Sequence, residues 1–150
     1  MVNFDCVSSL VLYNVGKRGT NMKIMEVVCG VMKQDHRVFI AKRGKGVHEN
    51  MWEFPGGKIE PNETAQQAIV RELKEELDIE VDVEKFLVDV MDQRVDICIH
   101  VSAYLCNIRK GTPVLHVHHE MAWVSADELA SYTFEAADEA ILQCVKRELT

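Results

Sequence analysis

Glu26–Met32 and Arg37–Lys42 are rich in β-branched and other apolar residues, with the polar run Lys33-Gln34-Asp35-His36 between them. That pattern predicts two strands joined as a hairpin. The polar, glycine-containing stretch Gly44–Asn50 predicts a loop, Trp52–Phe54 a short extended segment, and Pro55-Gly56-Gly57 a break. The period then changes. Ile69, Val70, Leu73 and Leu77 recur at helical spacing, and Thr64 with Gln67 three residues on forms a capping box ahead of them. A helix is predicted that buries those four side chains and stops near Leu77–Asp78.

Beyond the helix, Glu80–Val90, Val95–Cys106 and Met121–Val124 read as strands. Val95, Ile97, Ile99 and Val101 alternate with Asp96, Cys98 and His100, the period of a half-buried strand. Ser125 and Glu128 make a second capping box over a short helix, and Ala136–Glu148 forms the last helix, with Ala140, Ile141, Cys144 and Val145 on one face. Strands and helices alternate irregularly, so the expected class is an α+β or α/β sandwich, not a regular parallel fold.

No repeat, low-complexity segment or linker divides the 150 residues, and residues 22–150 are read as one domain. Residues 1–21 are read as an accessory extension. Val7–Val15 is apolar but has no basic segment before it and no clear cleavage site after it, and Met22-Lys23 resembles a second start. No apolar run approaches the roughly 18 residues of a membrane helix.

The net charge of −7 excludes a broad basic footprint for duplex nucleic acid, and a polyphosphate substrate would need cations to approach such a chain. The five cysteines are odd in number and unpaired in spacing, which fits neither a disulfide framework nor a zinc site. An intracellular, cytoplasmic location is expected.

The chemistry is concentrated between Gly57 and Ile79. At about 100° per residue, Glu72, Glu75 and Glu76 fall within an arc of about 100° beside the apolar stripe. Three carboxylates this close repel one another, and nothing within the helix offsets the repulsion. A solvated acidic face is the ordinary reading of such a run. A divalent cation is the functional one, because hard ions such as Mg²⁺ take oxygen ligands and share their shell with phosphates. The preceding Gly56-Gly57 allows a tight backbone approach, and Lys58 and Arg43 can supply positive charge to phosphates.

Taken together, Gly57, Glu63 and Arg71-Glu72-Leu73-Lys74-Glu75-Glu76-Leu77-Asp78-Ile79 resemble the Nudix box, G-x5-E-x7-R-E-U-x-E-E-x-G-U, at every fixed position but one. The resemblance implies an α/β/α sandwich in which a mixed sheet lies between helices and the box forms a loop–helix–loop. It implies Mg²⁺ as cofactor, with Mn²⁺ as the substitute, held by Glu72, Glu75 and Glu76 and by the backbone carbonyl of Gly57. It places Glu63 and Arg71 as braces of loop and helix, with Glu63 an accessory acid near the metals. The mismatch is Asp78 for glycine at a position that favours a left-handed conformation, for which a small stability cost and intact chemistry are expected.

Trp52-Glu53-Phe54-Pro55-Gly56-Gly57-Lys58-Ile59-Glu60 looks like the MutT branch, and Met25-Glu26-Val27-Val28 with Ala137-Asp138 resembles the CTP pyrophosphohydrolase type. The resemblance puts Phe54 beside the base and Asp138 at its edge. An ionised Asp138 only accepts hydrogen bonds and suits a base with an amino donor, whereas a protonated one also donates and suits an oxidised guanine. Asp138 reads equally well as a charge favoured at a helix N-terminus. One departure lies in His116-Val117-His118, where related enzymes carry an acid at the position of Val117. Glu120 is the nearest substitute as metal ligand or base, with His118 and His119 as alternatives. All three also read as a partly exposed strand end.

The expected activity is hydrolysis of a nucleoside triphosphate to a monophosphate and pyrophosphate, with a CTP-like or oxidised nucleotide as substrate. The expected partners are small nucleotides, with neither duplex nucleic acid nor membrane, and the chain is read as a monomer or homodimer. Two alternatives stay open: a nucleotide sugar or other nucleoside diphosphate compound as substrate, and a non-catalytic nucleotide-binding module on the same fold.

Overall fold

In a computed structural model, the structure describes residues 10–14, 21–46 and 49–150, with side chains from Lys23 onward. The strands are β1 (Leu10–Asn14), β2 (Asn21–Gln34), β3 (Arg37–Arg43), β4 (Trp52–Glu53), β5 (Gly56–Lys58), β6 (Glu80–Gln93), β7 (Ile97–Lys110) and β8 (His118–Val124). The helices are α1 (Ala65–Leu77) and α2 (Glu139–Leu149). The main path of the sheet runs β4-β3-β2-β7-β6, with β1 and β5 also pairing β2, and β8 pairing β3. The sheet is mixed: β2 and β7 are parallel from Lys23↔Ile97 to Met32↔Cys106, while the other pairs are antiparallel.

The pleat of β2 explains the layering. Met25, Val27, Cys29 and Val31 point to one face, where Ile99, Val101 and Leu105 meet Ile141, Val145 and Leu149 of α2. Val28 and Met32 point to the other, where Phe39, Ile79 and Cys106 meet Ala68, Ile69, Leu73 and Leu77 of α1. Each such fully buried large side chain contributes about 1.5–3 kcal/mol. The result is the expected α/β/α sandwich, with one helix on each face.

Helix α1 begins where the capping box puts it. Gln67 N donates to Thr64 Oγ1 at 3.1 Å and Thr64 N to Gln67 Oε1 at 2.9 Å. It ends at Asp78, which takes φ 57° and ψ 39°, and the Asp78 N–H donates to Lys74 O. The left-handed cap is therefore built with aspartate in place of glycine, and Lys74 Nζ lies 3.0 Å from Asp78 Oδ1.

Five expectations need correction. Val70 faces solvent, and Ala68 takes its place in the core, because the stripe through Ile69, Leu73 and Leu77 leaves Val70 on its flank. Val95 is fully exposed: β7 begins only at Ile97, and Val95 lies in the bend closed by Arg94 N→Ile97 O at 2.8 Å. Cys98, read as outward-facing, is buried, so both faces of β7 are covered. Ala140 is exposed, because α2 turns Ile141, Cys144, Val145 and Leu149 inward and a 3-10 turn, Ala136–Asp138, precedes it. The second capping box is only half formed: Glu128 N donates to Ser125 Oγ at 3.4 Å, while Ser125 Oγ donates to Glu128 Oε1 at 3.0 Å, and the segment that follows is a 3-10 turn, Glu128–Ser131.

The assignment of residues 1–21 as an extension falls largely outside the described residues. Within them, β1 pairs antiparallel with the start of β2, Leu10↔Met25 to Asn14↔Asn21. The four cysteines within the described side chains, Cys29, Cys98, Cys106 and Cys144, are buried free thiols. No helix among the described residues is long and apolar enough to cross a membrane.

Candidate functional site

The register Val28↔Gly57 lays β5 along β2, with Gly57 against Glu72 of α1. Gly56 has no room for a side chain, since a β-carbon there would collide with the backbone of Val28 and Cys29. A β-carbon on Gly57 would overlap the carboxyl group of Glu72. The Glu72 carboxylate thus lies directly against the loop backbone, a contact only glycine permits.

Arg71 ties the segment together. Its Nε and Nη2 donate to Glu63 Oε2 and Oε1 at 2.7 and 2.9 Å, and Nη2 also donates to Lys58 O at 2.9 Å. Its Nη1 lies 3.0 Å from Glu72 Oε1 and 3.3 Å from Glu75 Oε2. The forked pair with Glu63 has the geometry in which arginine binds carboxylate most strongly. It holds the Glu63 carboxyl below the usual carboxylate range and keeps Arg71 firmly charged. Arg71 of α1 is thereby joined to the loop at Lys58 and Glu63.

Burial raises Glu72, against the opposing pull of Arg71. Burial, together with the charge of Glu72, pushes Glu76 up to about 8, and Glu76 Oε2 has no hydrogen-bond partner among the described residues. A buried carboxyl with one oxygen unpartnered among the described residues, beside two other acids, is a donor set suited to a hard cation. Among the described residues no three acidic, histidine or cysteine side chains already converge at metal-binding distance. Arg71 stands between Glu72 and Glu75, so an ion would compete with its Nη1 for them.

The two cations expected near phosphates are placed differently. Arg43, at the end of β3, feels the charges of Glu76 and Glu135. Lys58 Nζ is buried with no hydrogen-bond partner among the described residues. Glu120 is exposed and pairs with Lys42 Nζ at 3.0 Å, and Val117 and His119 are also exposed. His118 differs. Its ring is almost fully buried, its Nε2 lies 2.9 Å from Glu53 Oε1, and burial pushes it down to about 4.

Phe54 and Asp138 line one pocket, with Cys29, Glu53, Val101 and Ile141 among its other walls. Its empty volume is about 300 Å³ with the solvent at its mouth included. Phe54 leans on Phe134 at 5.5 Å between ring centroids. Asp138 is 5% exposed and makes no capping hydrogen bond to α2. Burial, helped by the charges of Glu135 and Asp92, pushes it up to about 7. Its side chain lines the pocket at the N-terminal end of α2.

The tertiary fold therefore brings together Gly57, Glu63, Arg71, Glu72, Glu75 and Glu76 in one cluster, and Phe54 with Asp138 in another. It leaves Glu120 at the surface with Lys42. Sequence reasoning missed Glu53 and Cys29 as pocket walls, and the Glu53–His118 pair. An acid between Trp52 and Phe54 was the available signal, since a charge inside an apolar segment is expected to have a partner.

Residues 27–144 match the NUDIX domain model. The chain is 35% identical over 123 residues to a CTP pyrophosphohydrolase of Escherichia coli (81% of this chain, 91% of the relative). It is 31% identical over 132 residues to an 8-oxo-dGTP diphosphatase of the same organism (84% of this chain, 99% of the relative). The solution structure of the E. coli ORF135 protein superposes with a TM-score of 0.73 at 34% identity, covering 82% of this chain and 89% of that one. With its box intact but for Asp78, its sheet flanked by α1 and α2, and its acids gathered on α1 against Gly57, this chain belongs to the NUDIX family.

Proposed function

We propose that the protein hydrolyses nucleoside triphosphates to a monophosphate and pyrophosphate, with Mg²⁺ as the metal and Mn²⁺ as a working substitute. The observation that carries this reading is the pairing of an acid cluster on α1 with a pocket that holds an aromatic ring and a buried carboxyl, Phe54 and Asp138. The names of the two E. coli relatives support it.

Glu72, Glu75, Glu76 and the carbonyl of Gly57 would hold the ion. When bound, it neutralises phosphate charge and lowers the pKa of the attacking water. Arg71 and Glu63 fix the loop against the helix, so the ligands keep their places. Lys58 and Arg43 draw the phosphates toward the acids. Phe54 offers an apolar face to the base. Asp138, held near neutrality, can present either an acceptor or a donor at the base edge, which suits both CTP-like and oxidised purine substrates. A cytoplasmic enzyme of the free nucleotide pool fits this chemistry.

The test is incubation with Mg²⁺ and CTP, dCTP, 5-methyl-dCTP, dATP, dGTP and 8-oxo-dGTP, with pyrophosphate and orthophosphate measured separately. Pyrophosphate from one or a few of these is the expected result. No release from any of them, with Mg²⁺ still bound, removes the triphosphate reading and leaves nucleoside diphosphate compounds.

A further inference from the structure

We propose that His118 is a positioning residue for the pocket: its ring Nε2 pins, as a hydrogen-bond acceptor, the carboxyl of Glu53, one wall of the pocket that Asp138 also lines. The inference rests on the triphosphate reading and adds a determinant of which base edge the site accepts.

Strand β3 makes the pair possible. β4 and β8 both pair with it, one on each side, in the registers Ala41↔Glu53 and Arg43↔His118. Positions 41 and 43 lie on the same face of a pleated strand, so residues 65 apart in sequence meet there. The two side chains are 4% and 8% exposed, and Nε2 lies 2.9 Å from Glu53 Oε1. Neither belongs to the acid cluster on α1, and Glu53 is itself a wall of the pocket.

The direction of the bond follows from which nitrogen of His118 is left over. A neutral imidazole has one N–H. With the proton on Nε2, it donates to an ionised Glu53, and the remaining atom is Nδ1, a bare acceptor that has no partner among the described residues. With the proton on Nδ1, Glu53 must be protonated to donate, and a buried N–H is stranded. Stranded buried N–H groups are rarer than underused acceptors. The first arrangement is favoured, and it keeps Glu53 an acceptor.

Asp138 makes no side-chain hydrogen bond among the described residues and can adapt to the base. Glu53, pinned by His118, cannot. A pinned acceptor favours a base edge that carries an amino donor, such as the N4 amine of cytosine, over the O4 carbonyl of uracil.

The test is steady-state kinetics on CTP and UTP with wild type, His118→Phe, His118→Gln and Glu53→Gln. His118→Phe should raise KM for CTP about tenfold or more with kcat within about threefold, and should narrow the preference for CTP over UTP. Glu53→Gln should narrow it as well, the double variant should be no worse than the poorer single one, and the amide of His118→Gln should restore part of the loss. A folded His118→Phe with unchanged KM and unchanged preference overturns the proposal. Imidazole ¹⁵N spectra of the wild type read the pair independently of turnover and of whether the variant folds. Protonated Nε2 with bare Nδ1 at pH 7 supports the pinning, and the opposite tautomer overturns it. A wild type inactive on every triphosphate removes the substrate reading, and the tautomer then decides the pinning alone.

Discussion

The carboxyl of Glu72 occupies the space that a side chain on residue 57 would fill. Gly57 is therefore a steric requirement of the acid cluster as well as a turn residue. Gly57→Ala should displace Glu72 and lower kcat/KM about a hundredfold, the usual cost of a misplacement near 1 Å. Thermal unfolding should show a folded protein, and Mg²⁺ titration should show weaker binding. Unchanged activity would mean that Glu72 does not need the loop backbone.

Arg71 should not tolerate lysine. Arg71→Lys removes the forked bond to Glu63 and the donation to Lys58 O, leaving a point charge. A loss of about 1–3 kcal/mol is expected from urea denaturation, with at least a tenfold fall in activity as the loop loosens. A variant with wild-type stability would show that the loop is held by other contacts.

Asp138 should make the fold less stable at neutral pH than its amide does. Its folded pKa is raised from the ordinary 3.8 to about 7 by burial. The stability it contributes is fully present below about pH 4 and is lost as pH rises through about 7. Asp138→Asn should therefore gain on wild type between those limits, reaching a plateau above pH 7 on the order of 1–4 kcal/mol. Urea denaturation from pH 4 to 8 reads this directly. A flat difference would mean that the carboxyl is well solvated.

His100 gives a second pH-dependent signal, away from the pocket. Its Nδ1 lies 2.6 Å from Glu26 Oε2 and its Nε2 2.7 Å from Asp89 Oδ2. Partial burial lowers its pKa, but the bonds to Asp89 and Glu26 outweigh that and raise it. The charged form is thus stabilised by folding, and the gain is full below the ordinary pKa near 6.5 and is lost as pH rises through the raised value. His100→Gln should cost about 1 kcal/mol at pH 6 and little at pH 9, by urea denaturation. A cost independent of pH would assign His100 a packing role only.

How much of this was legible in the sequence differs by element. Both ends of helix α1 were legible, because a capping box and a left-handed cap are local devices, set by Thr64, Gln67 and Asp78 within a few residues. The acids Glu72, Glu75 and Glu76 were legible for the same reason, since helical spacing alone puts them on one arc. The inward turn of Cys98 was not, because one strand's alternation does not reveal that both faces of β7 are covered.

By itself, then, the sequence determined the family, the layered class, and the arc of acids on α1, all of which follow from residues within one helix turn or one motif of each other. Only the tertiary structure decided that Glu72 rests on Gly57, that Asp138 is buried with its pKa raised to about 7 in the pocket Phe54 also lines, and that His118 reaches Glu53 while Glu120 turns out to Lys42. Those relations depend on strand register and on how much water each site excludes. Both arise when β4 and β8 pair with β3 and when α2 closes over the sheet, and no local pattern carries them.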